Sequence, residues 1–434
     1  MSVELVAPSA FEGLSRYRLF LLSIAIFLAA QIVFLIGISA PDQLYFDEVH
    51  YVGAARQMLG QGETLNREHP PFAKELMAAS IAVLGDRPLG WRYPSVVFGA
   101  LSLVGIFLLA RRLFAREEAA LWTVATTLVN QMLYVQSRIA MLDIFMVAFT
   151  IWALVFLAIA WDAPRPRRWF AACGACLGLA AASKWSGLFP WAMVLGIVLL
   201  VGLLRGWRVS FAEARPSDWY RPGLWQEMRL RDWIVTLVVV PGLLYFATFV
   251  PSEGLDPGAL LRRQAEMAQA MSNVPAVHPY LSRWTDWPII RRPIWYLFDQ
   301  TARPDHIGAV MLLGNPLILW AGIPALLVCL RDWVTARRRA AFLIAMSGLS
   351  LYLAWAVVPK QGGFFYYYFP TAMMLGPALG YVFFETPLVR RAWLRSLFLI
   401  AAATMFFYLL PVSSAATGVT LTGYAERMWF DGWR

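Results

Sequence analysis

Two adjacent carboxylates, Asp47 and Glu48 in the segment YFDEVHY, are the side chains of this sequence best suited to acid–base chemistry. Neighbouring carboxylates repel each other, and partial loss of water raises the pKa of at least one of them, which suits a general base. The pattern has a second interpretation. The same residues would begin a short amphipathic helix, whose dipole stabilises their negative charge. In this interpretation the two carboxylates have no catalytic role.

Three basic residues beside apolar segments could bind a phosphate group: Lys74 in HPPFAK, Arg138 in QSRIAMLDIF and Lys184 in SKWSG. An ionised side chain at membrane depth costs roughly 2.5 to 3.5 kcal/mol, so such residues usually pair with an opposite charge or bind one. The guanidinium of Arg138 suits a phosphate because it donates two parallel hydrogen bonds. Lys74 and Lys184 could instead be interfacial lysines that reach for water. Arg138 could instead form an ion pair with Asp143 that fixes a helix turn.

A segment rich in aromatic and basic residues, HPYLSRWTDWPIIRRPIWYLF, begins at His278. Its composition is typical of a helix or turn that lies in the membrane interface. Aromatic rings such as that of Trp287 also stack on sugars, and His278 could act on a substrate. Interfacial anchoring nevertheless explains most of the composition without a ligand. A second aromatic segment, QGGFFYYYFP, is expected to close the outer face as an aromatic belt.

The composition indicates the kind of protein in which these residues act. Of the 434 residues, 59% are hydrophobic and only 15% are charged, and the mean hydropathy is +0.57; soluble chains are usually about 45 to 50% apolar. We therefore predict a polytopic membrane protein, which excludes a soluble enzyme, a secreted disulfide scaffold, a disordered chain and a nucleic-acid-binding domain. The three cysteines lie in apolar stretches and indicate neither a disulfide framework nor a zinc site.

Runs of about 20 mostly apolar residues predict transmembrane helices, and an all-α polytopic fold with eleven of them is expected. The predicted spans are approximately 19–40, 91–110, 119–135, 144–161, 169–183, 187–204, 233–251, 308–330, 340–358, 364–384 and 396–412. The first run is too long for the apolar region of a signal peptide, and Pro41 disfavours cleavage after it. We predict a retained anchor there.

Basic residues concentrate in alternate loops, which predicts the orientation. With the N-terminus in the cytoplasm, the whole net charge of +10 falls on the cytoplasmic side, as the positive-inside rule requires. The basic clusters are then topology signals and contacts for anionic lipids. An odd number of spans would place the C-terminus outside.

Two outer loops, residues 41–90 and 252–307, are too long to be mere connectors, so the site is expected there. The first loop is predicted to hold two short helices, the second of which follows the two prolines of HPPFAK. The second loop is predicted to hold an amphipathic helix over LLRRQAEMAQAMS. The long inner loop lacks a phosphate-binding glycine pattern, which argues against a nucleotide site there.

Taken together, these segments resemble the protein O-mannosyltransferase family, integral membrane glycosyltransferases of the GT-C type that use polyprenyl-phosphate sugars. Nearly the whole chain takes part. The resemblance is carried by FDEVHY, HPPFAK, WRYPSVVFGAL, SRIAMLD, GLAAASKWSGLF, the HPY and WP pieces of the second outer loop, and LLGNPLILW. In HPPFAK, Phe72 and Ala73 replace the family's usual Leu and Gly. Eukaryotic members carry a large lumenal β-trefoil domain between their halves, so this chain resembles a compact bacterial member.

The resemblance implies an enzyme that moves a sugar, mannose first of all, from polyprenyl phosphate to a protein serine or threonine with inversion. Asp47 then corresponds to the general base, and Glu48 to its neighbour in acceptor positioning or to the alternate base. Arg138 corresponds to the arginine that grips the donor phosphate, and Lys74 and Lys184 face the same charge. Residues expected to position the acceptor or the sugar are His50, His69, Asp143, His278 and Trp287.

The resemblance also implies one integral membrane GT-C domain over residues 1–434. It has an N-terminal module at 19–250 with the periplasmic loop 41–90, a second periplasmic loop at 252–307, and C-terminal helices at 308–412. We expect the bacterial inner membrane, with the active site facing the periplasm. The expected partners are the lipid-linked sugar, a protein, lipid or glycan acceptor, and membrane lipids, without nucleic acid. No cofactor or metal site is predicted, because the outer carboxylates form no dense oxygen cage, and the need for a divalent ion stays open.

Three alternatives stay open. The lipid A aminoarabinose transferases share the donor chemistry and the general architecture, so a lipid or glycan acceptor fits as well. A transporter or flippase would place ionisable residues near the membrane midplane and show inverted halves, whereas the polar residues here lie mostly at the outer boundary. A non-catalytic scaffold would have little reason to gather the acidic pair, the proline turn and the arginine on one side.

Overall fold

The computed structural model describes residues 16–61, 66–114, 116–206, 225, 227–272, 279–303, 305–358, 363–389, 391–416 and 418–434. This part of the chain is mostly helical. Its helices are α1 (Arg16–Leu35), α2 (Glu48–Met58), α3 (Phe72–Leu84), α4 (Pro88–Leu113), α5 (Glu117–Leu128), α6 (Gln131–Gln136), α7 (Asp143–Asp162), α8 (Arg167–Ser183), α9 (Leu188–Gly206), α10 (Leu230–Ile234), α11 (Val240–Ala247), α12 (Val250–Glu253), α13 (Pro257–Ser272), α14 (Pro316–Ala336), α15 (Arg339–Val357), α16 (Phe369–Glu385), α17 (Ala392–Ser413) and α18 (Leu421–Arg427). The strands are β1 (Ile294–Arg303), β2 (His306–Leu312) and β3 (Val419–Thr420).

Eight helical stretches within the described residues are at least 18 residues long and apolar enough to cross a membrane. They are α1, α4, α7, Trp185–Leu203, Leu230–Ala247, α14, α15 and α17. Each overlaps one of the predicted spans, so the prediction of a multi-pass membrane protein is confirmed. The other three predicted spans, 119–135, 169–183 and 364–384, contain the shorter helices α5, α6, α8 and α16. The total of eleven spans therefore stays a prediction.

Burial separates the central helices of the bundle from the peripheral ones. Helices α4 and α7 are mostly buried, whereas α1 exposes a row of apolar side chains that includes Tyr17, Phe20, Leu28 and Ile32. Such a row is stable beside lipid, because lipid tails are as apolar as the side chains. The two central helices begin at the same end of the bundle, which is where Asp47 lies.

A three-stranded antiparallel sheet, which the all-α expectation did not include, completes the fold. Strand β1 pairs with β2, with Ile294 opposite Leu312, and β2 pairs in turn with β3. The predicted span 308–330 is therefore wrong at its beginning, where the chain forms β2. The helix starts only at Pro316, whose fixed φ suits the first helical position, and the side chain of Asn315 caps it.

The two long loops contain the short helices that the sequence predicts. The first loop holds α2 and α3, and α13 covers the amphipathic stretch of the second. The aromatic segment differs from the prediction, because Trp287 and Trp295 are 1% and 7% exposed and do not lie on an open interface. Their indole N–H groups donate to Ser282 Oγ at 3.0 Å and to the Trp433 carbonyl at 3.1 Å. These tryptophans therefore hold the fold of the loop.

Helix α8 packs closely against the helical stretch Leu230–Ala247, which contains a π-helical turn at Val235–Val239. A Cβ added to Gly174 would collide with the carbonyl oxygen of Thr236 in this turn, and Gly178 faces the backbone of Pro241. Small residues at such a crossing let two backbones approach each other. The contact depends on the absence of a side chain at Gly174.

We expect Gly174→Ala to lower the free energy of unfolding by about 1 to 3 kcal/mol, because the added methyl group overpacks the contact. Thermal unfolding of the purified protein in detergent micelles measures this change. The matched control is Gly196→Ala in α9, where nothing lies near the added Cβ; alanine there should be neutral or slightly stabilising. Equal melting temperatures for Gly174→Ala and the parent would contradict the close contact.

Candidate active site

The backbone turns sharply just before Asp47, which stands at the N-terminus of α2. Phe46 has a φ of +50°, a left-handed conformation that is rare for a residue with a side chain. Its ring stacks on that of Tyr296, with 4.2 Å between the ring centroids, and meets the edge of Tyr366 at 6.4 Å. These ring contacts hold the turn from which the side chain of Asp47 extends.

Asp47 is half-buried and accepts a hydrogen bond of 3.4 Å from the Tyr51 hydroxyl. Burial raises the pKa of the Asp47 carboxyl above its usual value, the charges of Lys184 and His50 oppose this rise, and the Asp143 carboxylate adds to it. A poorly hydrated carboxylate with a raised pKa is well suited to accept a proton from a neutral hydroxyl. The environment of Asp47 is therefore that of a general base.

Glu48, the other member of the acidic pair, is fully buried and paired with Arg92 of α4. Two hydrogen bonds of 2.8 and 2.9 Å join the guanidinium to the carboxylate, and the Ala140 N–H donates another of 2.9 Å. The guanidinium also donates to the carbonyls of Ile38, Pro41 and Gln43. Glu48 therefore ties the loop before α2 to α4 and to the segment before α7. The acidic pair thus consists of one half-buried carboxylate and one that is enclosed.

Lys184 and Asp143 form a buried ion pair, with Nζ 2.9 and 2.8 Å from the two carboxylate oxygens. The alternative pairing of Asp143 with Arg138 is therefore wrong, and Lys184 is not an exposed interfacial lysine. The ammonium also lies over the rings of Tyr366 and Tyr367, 4.6 and 5.5 Å from their centroids. Of the charges that affect Asp47, that of Lys184 has the largest effect. The structure thus brings a lysine, an aspartate and an aromatic wall to the predicted base.

Arg138 is buried in a different setting. Its Nη1 donates to the carbonyls of Phe34 and Ile36 at the C-terminal end of α1, at 2.6 and 2.5 Å, where the helix dipole favours a cation. With Tyr45 and Ser413 it lines a small pocket. No described carboxylate forms an ion pair with it. Arg138 is therefore a buried cation without an ion-pair partner among the described carboxylates, and it lies apart from the pair formed by Lys184.

Lys74 is buried, and its ammonium group is hydrogen-bonded to the loop that precedes α3. Its Nζ donates to the carbonyls of Asn66 and His69, at 2.7 and 2.8 Å, and to the side-chain oxygen of Asn66 at 3.3 Å. Burial, helped by the charge of Arg263, lowers the pKa of Lys74 to about 7. These contacts make Lys74 a clamp that holds residues 66–69 against the start of α3, and not a surface lysine.

A narrow groove extends from Asp143 between α7, α9, α15 and α16. Its polar lining consists of Asp143, Ser186 and Tyr367, and Ser186 Oγ has no hydrogen-bond partner within the described chain. The apolar lining comes from Met146, Phe189, Leu351, Trp355 and Pro370. Polar groups together with apolar walls fit an amphiphilic ligand, such as the phosphate end of a lipid.

The remaining predicted positioning residues lie at different depths. His50 is exposed on α2 one turn from Asp47, whereas His69 is half-buried with its ring against Tyr51 at 5.9 Å. Trp287 is enclosed and cannot stack on a sugar without movement of the loop. His278 lies outside the described residues. Within the described ranges, no group of three or more His, Cys, Asp or Glu side chains could hold a metal ion.

Several side chains that complete this site are not among the residues predicted from the sequence. Burial raises the pKa values of Tyr51 and Tyr296 far above their usual range, and the carboxylates of Asp47 and Asp143 add to both shifts. These tyrosines therefore border the same two carboxylates. Arg92 belongs to the motif WRYPSVVFGAL. The motif indicates that this segment matters, but it does not indicate that Arg92 pairs with Glu48. Tyr366 belongs to a segment that was expected only to form an aromatic belt.

Comparisons with known proteins match this chain to one family over almost its full length. Residues 68–214 match the family model described as dolichyl-phosphate-mannose-protein mannosyltransferase, and residues 258–433 match that of the C-terminal four-transmembrane region of protein O-mannosyltransferase. The polyprenol-phosphate-mannose–protein mannosyltransferase of Mycolicibacterium smegmatis is 25% identical, over 99% of this chain and 96% of the relative. The corresponding protein of Corynebacterium glutamicum is 26% identical, over 90% and 88%.

Solved structures show the same architecture. The Saccharomyces cerevisiae Pmt1–Pmt2 complex bound to its sugar donor matches with a TM-score of 0.74 at 15% identity, over 96% of this chain and 92% of that chain. ArnT from Cupriavidus metallidurans matches with a TM-score of 0.60 at 19% identity, over 89% and 64%. The predicted GT-C fold is thereby confirmed. Because two models of one family match most of the chain and relatives align with it nearly end to end, the chain belongs to the protein O-mannosyltransferase family.

Proposed function

We propose that this protein transfers mannose from a polyprenyl-phosphate carrier to a hydroxyl group of a protein, with inversion at the sugar. The observation that carries the proposal is the setting of Asp47, a half-buried carboxylate of raised pKa that lies within the field of the Lys184 ammonium. The aligned mycobacterial and corynebacterial relatives bear the name of this activity. A base and a cation close together suit a reaction in which a hydroxyl attacks and a phosphate leaves.

In the proposed reaction, Asp47 accepts the proton of the acceptor hydroxyl while its oxygen attacks the anomeric carbon. The bond from that carbon to the phosphate oxygen breaks through an oxocarbenium-like state, and polyprenyl phosphate departs with the electron pair. The nearby positive charge stabilises the phosphate as its own negative charge grows. The products are an O-mannosyl protein and polyprenyl phosphate, and the proton stays on Asp47 until solvent removes it.

We assign the donor phosphate to the polar end of the groove, next to Lys184. The apolar groove residues, among them Phe189 and Trp355, would then contact the first isoprenoid units. Lys184 is held by Asp143 before the donor arrives, so a phosphate would share the ammonium with this carboxylate. Arg138 stays a second candidate for the phosphate because no described carboxylate forms an ion pair with it. The contacts of Lys74 favour a role in holding the loop.

We further propose the topology that the charge distribution supports. The N-terminus lies in the cytoplasm, the C-terminus and both long loops lie in the periplasm, and the membrane is the bacterial inner membrane. The single domain comprises the module 19–250, the loop 252–307 and the helices of 308–412. The net charge of +10 resides in the loops at the opposite end of the bundle from Asp47. The positive-inside rule places such loops in the cytoplasm, which supports this orientation.

Purified protein in proteoliposomes should move radiolabelled mannose from polyprenyl phosphomannose to membrane proteins. Asp47→Asn should lower the rate by about 10² to 10⁴-fold, the usual contribution of a general base, while the protein still binds polyprenyl phosphate. Separating labelled proteins from labelled lipids identifies the acceptor. Label in lipid would replace the protein acceptor with a lipid one. Equal rates for the variant and the parent would remove Asp47 from the reaction.

The two carboxylates of the pair should respond differently to substitution. Glu48→Gln leaves the buried Arg92 without its counter-charge, so it should lower the free energy of unfolding by about 3 to 5 kcal/mol. Asp47→Asn is isosteric at a half-buried position and should leave the melting temperature close to that of the parent. Glu48→Gln combined with Arg92→Met removes both charges and should be more stable than Glu48→Gln alone. A stable Glu48→Gln protein without activity would instead assign the base to Glu48.

The pH dependence of transfer should report on Asp47. The Tyr51 hydroxyl donates to the carboxylate and thereby lowers the pKa of Asp47, so Tyr51→Phe should raise that pKa. Since the deprotonated form accepts the proton, the acidic limb of kcat/KM should move to higher pH. Initial rates between about pH 4 and pH 8 measure the limb. A shift to lower pH, or an unchanged limb with a normal maximal rate, would contradict this assignment.

A further inference from the structure

Arg111 lies in the last turn of α4, at the opposite end of this helix from Arg92. It is 4% exposed, and neither Nε nor Nη1 of its guanidinium has a hydrogen-bond acceptor among the described residues. Two buried guanidinium nitrogens without acceptors have lost their water without compensation, which disfavours the position. The unfilled hydrogen bonds point to a ligand that supplies acceptor oxygens.

Four other arginines at this end of the bundle have acceptors within the protein. Arg339 pairs with Asp162, and Arg331 pairs with Asp332 at 2.7 Å. Arg338 donates to the Glu385 carbonyl at 2.7 Å, and Arg395 donates to the Phe383 carbonyl at 2.9 Å. Arg111 differs from these four arginines, because two of its guanidinium nitrogens lack an acceptor among the described residues.

The surroundings of Arg111 favour an anion. The acidic residue that affects it is Glu117 at the start of α5, which is already bridged to Arg18 at 2.8 Å. Arg116, immediately before α5, is exposed, and no side chain caps the helix. The N-terminus of α5 adds partial positive charge. We call Arg18, Arg111, Arg116 and the start of α5 the α4–α5 corner. Its three arginines exceed the two carboxylates of Glu117 and Glu118 by one positive charge.

The depth of the α4–α5 corner identifies the source of the anion. From Arg92 to Arg111 the helix rises about 28 Å at 1.5 Å per residue, close to the roughly 30 Å hydrocarbon thickness of a bilayer. With Arg92 at one membrane surface, Arg111 lies at the level of the lipid phosphates on the other. Next to Arg18, the side chains of Tyr17, Phe20 and Leu21 are exposed on α1 and provide an apolar surface for acyl chains.

We propose that the α4–α5 corner binds the phosphate of an anionic membrane lipid, with Arg111 as the principal ligand. The phosphate oxygens would accept the hydrogen bonds that Nε and Nη1 of Arg111 leave unfilled. A zwitterionic lipid also carries a phosphate, but its ammonium group would meet Arg18 and Arg116. Inorganic phosphate offers the same oxygens without acyl chains for the exposed face of α1. This site is independent of the proposed mannosyl transfer, because it lies at the other end of α4.

The test compares melting temperatures of delipidated protein in detergent for the parent, Arg111→Gln and Arg116→Gln. Without lipid, Arg111→Gln should melt no lower than the parent, because it removes an uncompensated buried charge. Phosphatidylglycerol should raise the melting temperature of the parent and of Arg116→Gln by about 2 to 4 °C, and that of Arg111→Gln by much less. Native mass spectrometry should show fewer bound phosphatidylglycerol molecules on Arg111→Gln.

Further variants and ligands in the same melting-temperature experiment decide between the possible ligands. Arg111→Lys keeps the charge but loses the two-pronged geometry, so it should respond to phosphatidylglycerol less than the parent and more than Arg111→Gln. If phosphatidylglycerol raised the melting temperatures of the parent and of Arg111→Gln equally, the proposed lipid site would be overturned. A shift of the same size with phosphatidylcholine would overturn the selectivity for anionic lipid. A shift of the same size with inorganic phosphate would overturn the assignment to a lipid.

Discussion

The buried ion pair between Glu48 and Arg92 is the interaction on which the geometry of the active site depends. Arg92 belongs to α4, a central helix of the bundle, while Glu48 begins a helix of the outer loop. The pair also binds three carbonyls of the loop before α2 and the N–H of Ala140. Desolvation of two charges is costly unless nearly every donor and acceptor is satisfied, and here the contacts on both sides meet that condition. The loop that carries Asp47 is thereby fixed to the rigid membrane bundle.

A second constraint follows from placing charges at the edge of a membrane. Lys184 is held by Asp143, Lys74 by carbonyls of its own loop, and Arg138 by carbonyls at the end of α1. Each cation therefore has partners before any substrate is present, which reduces the cost of burying it. Lys184 differs because its partner is itself an acid that affects Asp47. A phosphate that draws Lys184 away from Asp143 would change the field at the base, so binding of the donor and the basicity of Asp47 are physically linked.

The sequence predicts the positions of the helices well, but it does not predict which side chains pair with the residues of the candidate site. Long apolar runs indicate spans because only a helix satisfies its own backbone in lipid, and the short helices of both loops follow from prolines and amphipathic spacing. Residues 308–312 are apolar too, and a short apolar run does not distinguish a buried strand from the start of a helix. The motifs drew attention to Asp47, Glu48 and Lys184, but they did not indicate the roles of Arg92 or Tyr296. Those partners lie far away along the chain, and one sequence contains no local signal for a contact that only the folded bundle creates.

The difference between Asp47 and Glu48 shows how packing divides a pair that sequence leaves equivalent. Successive residues at the start of a helix point about 100° apart, so two adjacent side chains cannot both face the same neighbour. Once Glu48 turns towards Arg92, Asp47 must turn away from it, towards Tyr51 and the charges of Lys184 and Asp143. The neighbouring left-handed residue Phe46 fixes the direction of this turn. A buried carboxylate whose oxygens are occupied cannot also accept a proton easily, which favours Asp47 over Glu48 as the proposed base.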